Sequence, residues 1–343
     1  MQRVRIPRAG SYEQLQIISE TAPVPQEGEV RITAQAIGIN YADCIVRMGL
    51  YESAKKYVGW PITPGFEVAG VVNAVGPGVT SVRVGDEVFA VTRFGGYATE
   101  IVVPTHQVFA RPTALSVVQA AGFPTVFLTA YFALFELANP RAGQTLLIHS
   151  ASGGVGSALI QLGKIAECRV LGVVGGAHKV DNARHLGADV VIDKSSEALW
   201  PAVEQHAPDG CHIVMDANGV GTLQNSYDHL AAPGKLVVYG FHTMMPRKGG
   251  RPKWIKLAID YFRTPRFNPL AMTGDNRSVL AFNLSYLFAE SHLLTEGMAQ
   301  LLAWVESGQI VAPRVTEYAF DAVADAHRDL ESGQTVGKLV LVV

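Results

Sequence analysis

The stretch that most constrains this chain is residues 145–162, which read TLLIHSASGGVGSALIQL. Residues 145–149 form a short, nearly continuous apolar run, which is typical of a parallel strand buried on both faces. A small, glycine-rich segment follows, and from Ser157 the apolar residues recur with helical spacing. The pattern therefore predicts a strand, a tight turn and a helix.

The glycines of this turn indicate a phosphate site. Gly153 and Gly154 leave room for a pyrophosphate to approach the backbone, and Gly156 lets the helix pack close to the strand. The free N–H groups and the positive end of the helix then face the phosphate. The usual fingerprint begins with glycine, whereas this one begins with Ala151. By itself such a turn also fits a segment that binds nothing, so the context must decide.

The next predicted strand, residues 168–174, supplies that context. A site for NAD usually places an acid near the end of this strand, where it bonds the ribose 2′-hydroxyl. Here the strand is followed by GGAHK, which contains no acid and ends in Lys179. Because a lysine attracts a 2′-phosphate, we predict NADPH rather than NADH, with Lys194 as a second contact after the strand 189–193. The alternative is that Lys179 is only a solvated residue in the first turn of a helix.

Composition excludes several classes of protein. The chain has 343 residues, 48% of them hydrophobic, and its net charge of −2 gives no general argument for binding nucleic acid. Its three cysteines lie far apart and form neither a disulfide framework nor a cysteine-rich zinc motif. The first residues lack an apolar signal core, and no apolar run approaches membrane-spanning length. We therefore expect a cytoplasmic protein.

The order of predicted elements indicates an α/β protein with two kinds of domain. Residues 1–120 are rich in strands separated by Gly and Pro, which suggests a small irregular barrel with strands at 4–6, 15–18, 29–39, 69–75 and 87–91. Residues 113–137 suggest two helices. From residue 145 the chain alternates, as in a doubly wound parallel sheet, with strands at 145–149, 169–174, 189–193, 212–216 and 235–240 and helices at 155–166, 178–186, 196–206 and 222–231.

The tail shows no further glycine-rich turn. Residues 278–287 are strand-like, 298–307 are helical and 336–343 form a last strand. We therefore expect the chain to return to its first domain. The predicted domains are 1–122 for the first part of the barrel, 123–266 for the nucleotide-binding domain and 267–343 for the returning segment.

A basic segment interrupts the alternation. Residues 247–266 contain seven basic side chains and one acid, Asp260. Trp254, Leu257, Ala258 and Tyr261 share helical spacing, so we expect an amphipathic helix. Such a helix can lie on a membrane surface or cover a ligand. Our preferred interpretation is that its apolar face packs on the junction of the two domains.

Taken together, the motifs resemble a known family over nearly the whole chain. The matching segments are GINYAD at 38–43, RMGLY at 47–51, PGFEVAG at 64–70, VGDEV at 84–88, GGYA at 95–98, LTAY at 128–131, ASGGVG at 151–156 and VGK at 336–338. The chain resembles the zinc-independent medium-chain dehydrogenases/reductases of the quinone oxidoreductase (zeta-crystallin-like) group. Residues 275–287 and the basic segment before them are similar to the branch that includes the vesicle amine transport protein.

The resemblance implies a GroES-like barrel and a Rossmann domain, with the active site in the cleft between them. It implies hydride transfer from NADPH to small-molecule quinones or α,β-unsaturated carbonyls, and commonly a homodimer. The polypeptide would form no covalent intermediate, since the cofactor carries the chemistry and the protein orients it and polarises the carbonyl.

The resemblance also implies a role for individual residues. The pyrophosphate would be held by Ser152, Gly153, Gly154, Val155 and Gly156. The adenosine 2′-phosphate would meet Gly175, Lys179 and Lys194. The ribose and nicotinamide side would be lined by Asn40, Thr129, Asn218, Gly240 and Phe241, with Asn283 at the carboxamide. Tyr51 would point towards the substrate.

Zinc-dependent relatives have Cys at the position of Asn40 and His at the position of Phe66. A catalytic zinc needs about three protein ligands of N, S or O type, so we expect no metal here. We expect Glu67 to form a structural ion pair or hydrogen bond, and Asp43 to pair with Arg47. Asn40 itself is either a cofactor contact or a buried amide that only bonds the backbone.

Two points leave the chemistry open. Many quinone reductases have a tyrosine where this chain has Ile45, so the proton would come from Tyr51 or from water, and Tyr51 could equally be a rim aromatic without a role. We expect His149 to be a satisfied core residue, while His242 stays open. The competing functions are a cofactor-binding protein with little turnover, acting through a partner or an anionic membrane, and an enoyl-thioester reductase.

Overall fold

The computed structural model describes all 343 residues of the chain and divides into two compact units. The first unit comprises Met1–Leu128, Arg247–Arg251 and Ser285–Val343, and the second comprises Thr129–Pro246 and Pro252–Leu284. No helix has both the length and the apolar character that crossing a lipid bilayer demands.

The elements are numbered in chain order. The strands are β1 Gln2–Arg5, β2 Gln16–Ser19, β3 Glu29–Ile39, β4 Glu67–Val75, β5 Glu87–Val91, β6 Glu100–Pro104, β7 Val108–Ala110, β8 Thr145–Ile148, β9 Arg169–Val174, β10 Val190–Asp193, β11 Cys211–Asp216, β12 Leu230–Val238, β13 Arg277–Ala281, β14 Val315–Ala319 and β15 Lys338–Val342. The helices are α1 Tyr41–Arg47, α2 Glu52–Tyr57, α3 Val117–Ala121, α4 Pro124–Tyr131, α5 Gly154–Ile165, α6 Val180–His185, α7 Leu199–His206, α8 Leu223–Asp228, α9 Trp254–Arg263, α10 Pro269–Asp275, α11 Ser291–Glu306 and α12 Val323–Ser332. Between α4 and β8 the chain forms a π-helical segment, Phe132–Ala138.

The first unit is built on a seven-stranded sheet of order β14-β15-β3-β4-β5-β7, with β6 also paired to β3. Its pairings are antiparallel except that of β14 with β15. β3 organises this sheet because it is long enough to pair with three other strands. The predicted bounds of β3 and β5 are confirmed, whereas β6 and β7 were not foreseen.

The second unit is a six-stranded, all-parallel sheet of order β10-β9-β8-β11-β12-β13. Counted within this unit, the order is 3-2-1-4-5-6, and it confirms the predicted doubly wound α/β sheet. The strand order reverses between β8 and β11. In open parallel sheets, ligands bind outside the carboxyl ends of the strands at such a reversal.

Two predicted elements end earlier than expected. The strand-like run 278–287 continues only to Ala281, and residues Leu284–Ala289 form a 3₁₀ helix. The helix predicted at 222–231 ends at Asp228, since β12 already begins at Leu230. At residues 278–289 an apolar run crosses the boundary between two elements, so hydrophobicity alone does not mark the end of the strand.

The prediction for the basic segment was wrong about which face of the helix is buried. α9 exposes 67% of Trp254 and 68% of Tyr261, and only Leu257 of the predicted face is half-buried. The buried residue of this helix is Asp260, whose carboxylate pairs with Lys256. Helical spacing shows that one face is apolar, but it does not show that this face turns inward.

A buried polar network connects α12 to α1 in the first unit. Glu331 on α12 pairs with Arg47 on α1, and both side chains are fully buried. The Tyr12 hydroxyl donates to the other oxygen of Glu331 at 2.7 Å. The expected pair of Asp43 with Arg47 was therefore wrong, because Arg47 is neutralised by Glu331, a partner 284 residues away.

Asp43 instead accepts hydrogen bonds from the backbone. Its carboxylate accepts the N–H groups of Asn40 and Gly65, each at 2.8 Å, and the Tyr97 hydroxyl at 3.1 Å. Tyr97 in turn contacts Nε2 of His327 at 3.1 Å. Burial raises the pKa of Asp43 to about 7 and lowers the pKa of His327 to about 3. The network therefore holds helix starts and loops in place around groups that water does not reach.

Removing one member of the buried pair should be far more damaging than removing both. We expect Arg47→Met to lower the free energy of unfolding by about 3–5 kcal/mol, because it leaves the Glu331 carboxylate buried without its partner. The double variant Arg47→Met, Glu331→Leu should recover much of that loss. Urea denaturation of the three proteins measures both effects, and equal losses in the single and double variants would contradict a buried charge pair.

Candidate functional site

The glycine-rich turn lies between β8 and α5, at the reversal of strand order in the second unit. A Cβ atom on Gly156 would lie 2.3 Å from the Ser150 carbonyl oxygen and 2.7 Å from Cα of Ala151, so no other residue fits without a shift. Gly153 caps α5, which begins at Gly154. The first N–H groups of this 12-residue helix point out of its amino end, where an anion is favoured.

Alanine replaces the first glycine of the fingerprint without disturbing the turn. Ala151 is fully buried, and its N–H donates to the Val173 carbonyl at 2.9 Å. The methyl group is accommodated because its neighbour on β9 is Gly172, where an added Cβ would lie 3.1 Å from it. The space that the Ala151 methyl group needs is provided by the glycine at position 172 of the adjacent strand.

The turn after β9 is tied directly to the glycine-rich turn. The hydroxyl of Ser152 donates to the Lys179 carbonyl oxygen at 2.6 Å. Cε of Lys194 lies 3.8 Å from the position that a Cβ would take on Gly175. Four residues predicted to meet phosphates are thus brought to one edge of the sheet, and two of them are cationic.

Asn218 follows β11 and belongs to the same edge. It accepts a hydrogen bond from the Ser150 hydroxyl at 3.3 Å, and its own N–H donates to Asp216 at 2.7 Å. Gly240 follows β12, where a Cβ would lie 3.0 Å from the Ala217 carbonyl oxygen. The segments that follow the neighbouring strands β11 and β12 therefore approach each other closely.

The remaining predicted contacts of this unit lie on separate elements. Phe241 is 42% exposed and follows Gly240, Thr129 is half-buried in α4, and Asn283 lies just beyond β13. Their roles stay predictions. His242, which the sequence left open, contacts the Ala217 carbonyl through Nδ1 at 2.9 Å.

His149 is held inside the sheet. It is fully buried, and its Nε2 contacts the Ser226 hydroxyl at 3.0 Å. That hydroxyl donates to Asp216 at 2.9 Å. Burial lowers the pKa of His149. The expectation of a core histidine is confirmed, but that of a satisfied one holds only in part, because the buried Nδ1 has no hydrogen-bond partner.

Asn40, in the first unit, lies in a buried charged cluster. Its amide nitrogen donates to Oε1 of Glu67 at 2.7 Å, and its amide oxygen accepts from Nζ of Lys338 at 2.5 Å. Lys338 also pairs with the same Glu67 oxygen at 2.6 Å. The expected ion pair of Glu67 is confirmed, and Asn40 does more than bond the backbone. The second Glu67 oxygen accepts the Thr125 N–H at 2.8 Å.

Lys338 was not among the predicted site residues. It is the lysine of the VGK motif, but nothing in the motif shows that the last strand of the chain brings this side chain to Asn40 and Glu67. Its ammonium places a fixed positive charge against Glu67. A divalent cation at the position of Asn40, Phe66 and Glu67 would be repelled by that charge.

Phe66 belongs to an aromatic cluster with Tyr51 and Phe94. The ring centroids of Phe66 and Phe94 are 5.3 Å apart, and Tyr51 stands edge-on at 5.9 Å from Phe66 and 6.3 Å from Phe94. Phe94 was not predicted, although it directly precedes the GGYA motif. Phe66, at the position where the resemblance places a zinc-binding histidine in metal-dependent relatives, is here a buried aromatic side chain of an apolar cluster.

One group of side chains could in principle hold a metal elsewhere in this unit. Ligand atoms of Cys44, His327 and Glu331 lie within 4.8 Å of one another. Glu331 is already paired with Arg47, and burial raises the pKa of the Cys44 thiol, which keeps it protonated. The three groups are partners in the buried polar network, and the nearby guanidinium disfavours a cation.

Comparisons with known proteins agree over the whole chain. A family model described as alcohol dehydrogenase GroES-like domain matches residues 26–113, and one described as zinc-binding dehydrogenase matches residues 186–341. The synaptic vesicle membrane protein VAT-1 homolog of Rattus norvegicus is 33% identical over 97% of this chain and 82% of its own length. The quinone oxidoreductase of Lama guanicoe is 30% identical over 100% of this chain and 98% of its own length.

Solved structures give the same result. The Escherichia coli quinone oxidoreductase complexed with NADPH matches with a TM-score of 0.86 at 27% identity, covering 100% of both chains. The mycobacterial protein Rv1454c complexed with NADPH matches with a TM-score of 0.85 at 28% identity, also over 100% of both chains.

One of the two matching family models is described as zinc-binding dehydrogenase. The metal content of the purified protein therefore tests whether this chain binds zinc. We expect purified protein to contain only substoichiometric zinc, and we expect prolonged treatment with a chelator to leave its thermal unfolding temperature unchanged, because Lys338 supplies the positive charge beside Glu67. Elemental analysis and thermal unfolding before and after chelation measure both. One bound zinc per chain, or a clear loss of stability, would contradict this assignment.

Proposed function

This chain belongs to the quinone oxidoreductase group of the medium-chain dehydrogenase/reductase family, and we propose that it uses NADPH to reduce quinones or α,β-unsaturated carbonyls without zinc. The observation that carries the proposal is that the glycine-rich turn and the turn after β9 meet at one edge of the parallel sheet in the second unit. Ser152 and Lys179, from the glycine-rich turn and the turn after β9, are joined by a hydrogen bond at the carboxyl edge of the sheet. A dinucleotide with an extra phosphate suits this arrangement.

The residues present fit the cofactor. The free N–H groups at the amino end of α5 suit a pyrophosphate, for which we propose the backbone of residues 152–156. Lys179 and Lys194 are proposed to supply positive charge for a 2′-phosphate beside Gly175, and residues 175–179, directly after β9, contain no acid. When bound, NADPH supplies the hydride. Thr129, Asn218, Gly240, Phe241 and Asn283 are proposed as its further contacts.

Asn40 is proposed to orient the reacting groups. Its carboxamide is held at both ends, by Glu67 and by Lys338, and it is 8% exposed. An amide NH₂ carries two hydrogens, and Glu67 takes one of them, so the second can be offered to a carbonyl. A donor fixed in this way stabilises negative charge on a carbonyl oxygen without having to reorganise.

Tyr51 is proposed to act on the acceptor. Its ring packs edge-on against Phe66 and Phe94, which fixes the plane of the ring. Aromatic side chains of this kind suit the flat ring of a quinone or the conjugated system of an enone. Because Ile45 lacks a hydroxyl, Tyr51 or water must deliver the proton.

The proposal is tested by following NADPH consumption with a panel of quinones, enones and enoyl thioesters at saturating cofactor. Turnover of quinones or enones supports it. Turnover confined to thioesters would instead make the chain an enoyl reductase. Tight NADPH binding without turnover of any acceptor would favour a binding protein that acts through a partner.

Loss of the Lys179 charge should weaken the binding of NADPH but not that of NADH. We expect Lys179→Ala to weaken NADPH binding by about 1–3 kcal/mol, which is the scale for losing one charged hydrogen-bond partner, and to leave NADH binding nearly unchanged. Titration followed by nicotinamide fluorescence measures both. As a matched control, Lys55→Ala removes an exposed lysine from α2 and should change neither. An equal loss for both cofactors would show that the phosphate lies elsewhere.

Removal of the Tyr51 hydroxyl should affect chemistry more than binding. We expect Tyr51→Phe to lower kcat roughly 10²-fold or more if the phenol delivers the proton, and to leave the dissociation constant of NADPH unchanged. The pH dependence of kcat should lose its limb at high pH. An unchanged kcat would assign the proton to water, and it would leave Tyr51 with the role of an aromatic wall.

A further inference from the structure

Arg93, in the first unit, is a half-buried cation that no acid of the chain neutralises. It lies two residues beyond the end of β5. It forms no ion pair, and its buried Nε has no hydrogen-bond partner. Arginine is seldom buried without a group that accepts its hydrogens, because a buried donor without an acceptor is costly. Its surroundings therefore indicate whether a partner can reach it from outside the chain.

Two aromatic rings hold the guanidinium of Arg93 in place. Its Cζ lies 4.0 Å from the ring centroid of Tyr57, the last residue of α2, and 5.4 Å from that of Phe288. A guanidinium that lies over a ring keeps its N–H groups available at its edge. The cation is therefore fixed by the rings, and it can still meet an anion through two parallel hydrogen bonds.

Lys56 adds a second positive charge beside the same tyrosine. Its Nζ lies 5.2 Å from the ring centroid of Tyr57 and 5.5 Å from that of Tyr286. The two tyrosine rings are 6.0 Å apart, and each residue is 39% exposed. The acid nearest to Lys56 in the sequence, Glu52, is paired with Lys55 instead. Two cations therefore share one exposed aromatic patch, and neither has a carboxylate partner.

This patch lies at a defined distance from the proposed proton donor. Tyr51 precedes α2 and Tyr57 ends it, so at a rise of about 1.5 Å per residue the two tyrosines are separated by about 9 Å. Phe94, which follows Arg93 in the chain, packs against Tyr51 with ring centroids 6.3 Å apart. Two consecutive side chains thus contact opposite ends of one short helix, Phe94 at the end of the proton donor and Arg93 at the end of the two cations.

We propose that Arg93 and Lys56 bind an anionic group, a carboxylate or a phosphate, at the far end of an elongated acceptor whose carbonyl lies at Tyr51. This inference rests on the proposed function, and it narrows the acceptors to enones or quinones with such a group on a chain that spans about 9 Å. The anion is bound and not transformed. It neutralises charge that the chain leaves uncompensated, so a part of the acceptor that does not react supplies binding energy for the part that does.

The test compares three forms of one enone, whose alkyl chain ends in a carboxylate, a phosphate or a methyl ester. At saturating NADPH we expect kcat/KM for at least one anionic form to exceed that for the ester roughly tenfold or more. The advantage should shrink as salt is added, because salt screens the charges. The better of the two anions identifies the group that the site takes. Turnover of all three forms with equal kcat/KM would overturn the inference and leave the proposed function standing.

Variants assign the preference to the two cations. Arg93→Gln should bring the ratio of kcat/KM between the anionic form and the ester close to one, and Arg93→Lys should keep part of the preference, since the charge remains but the fork of donors is lost. Lys56→Gln, at an exposed position, should lower the ratio roughly two- to fivefold. The matched control Lys55→Gln removes a neighbouring charge that Glu52 already neutralises, so it should leave the ratio unchanged. An unchanged ratio in both Arg93→Gln and Lys56→Gln would overturn the inference.

Calorimetry separates this inference from hydride transfer. The saturated ketone that carries the same anionic chain binds without any turnover, and we expect its affinity to fall roughly tenfold or more in Arg93→Gln. Thermal unfolding of this variant shows that it is folded. If no enone is reduced but the ketone binds through Arg93, the proposed function fails and the anion site stands. Equal affinity in the natural protein and in folded Arg93→Gln would overturn the anion site, whatever the activity.

Discussion

The contact of Lys338 with Glu67 and Asn40 is the interaction on which the first unit depends. It places one positive and one negative charge in the protein interior, where each alone would be costly and where together, with the amide, they satisfy one another. The lysine comes from the last strand and its partners come from the first hundred residues. The chain must therefore return to the barrel at its end, and β15 reaches the site only because it pairs with β3.

The same contact explains what the site can do chemically. A zinc ion with an open coordination position would act as a Lewis acid on a substrate. The Lys338 ammonium instead supplies a fixed charge, and its hydrogens are directed at the Asn40 and Glu67 side-chain oxygens. The lysine therefore cannot activate a substrate as a metal does. What it can do is hold the Asn40 amide in one orientation. Chemistry at such a site depends on positioning and on what a cofactor brings, which agrees with a reductase whose polypeptide forms no covalent intermediate.

Sequence reasoning succeeded where local physics decides the structure. Gly156 was predicted to allow close packing, and the 2.3 Å approach to the Ser150 carbonyl shows why only glycine fits. Buried parallel strands have short apolar runs, so the strands β8 to β12 of the second unit were predicted, whereas β13 was not assigned to this sheet. Lys338 and Phe94 were missed because their roles depend on contacts across the fold. The partner of Arg47 was missed for the same reason, since Glu331 is 284 residues away.

α9 shows a different limit of sequence reasoning. Its spacing correctly indicated an amphipathic helix, but either face of such a helix can turn inward, and hydrophobicity alone favours the apolar one. Here the anchor is polar, because Lys256 satisfies both Asp260 and the Thr243 carbonyl. Trp254 and Ile255 then contribute nothing to the core of the protein. Apolar side chains that face outward against the hydrophobic effect gain free energy only when something other than water covers them.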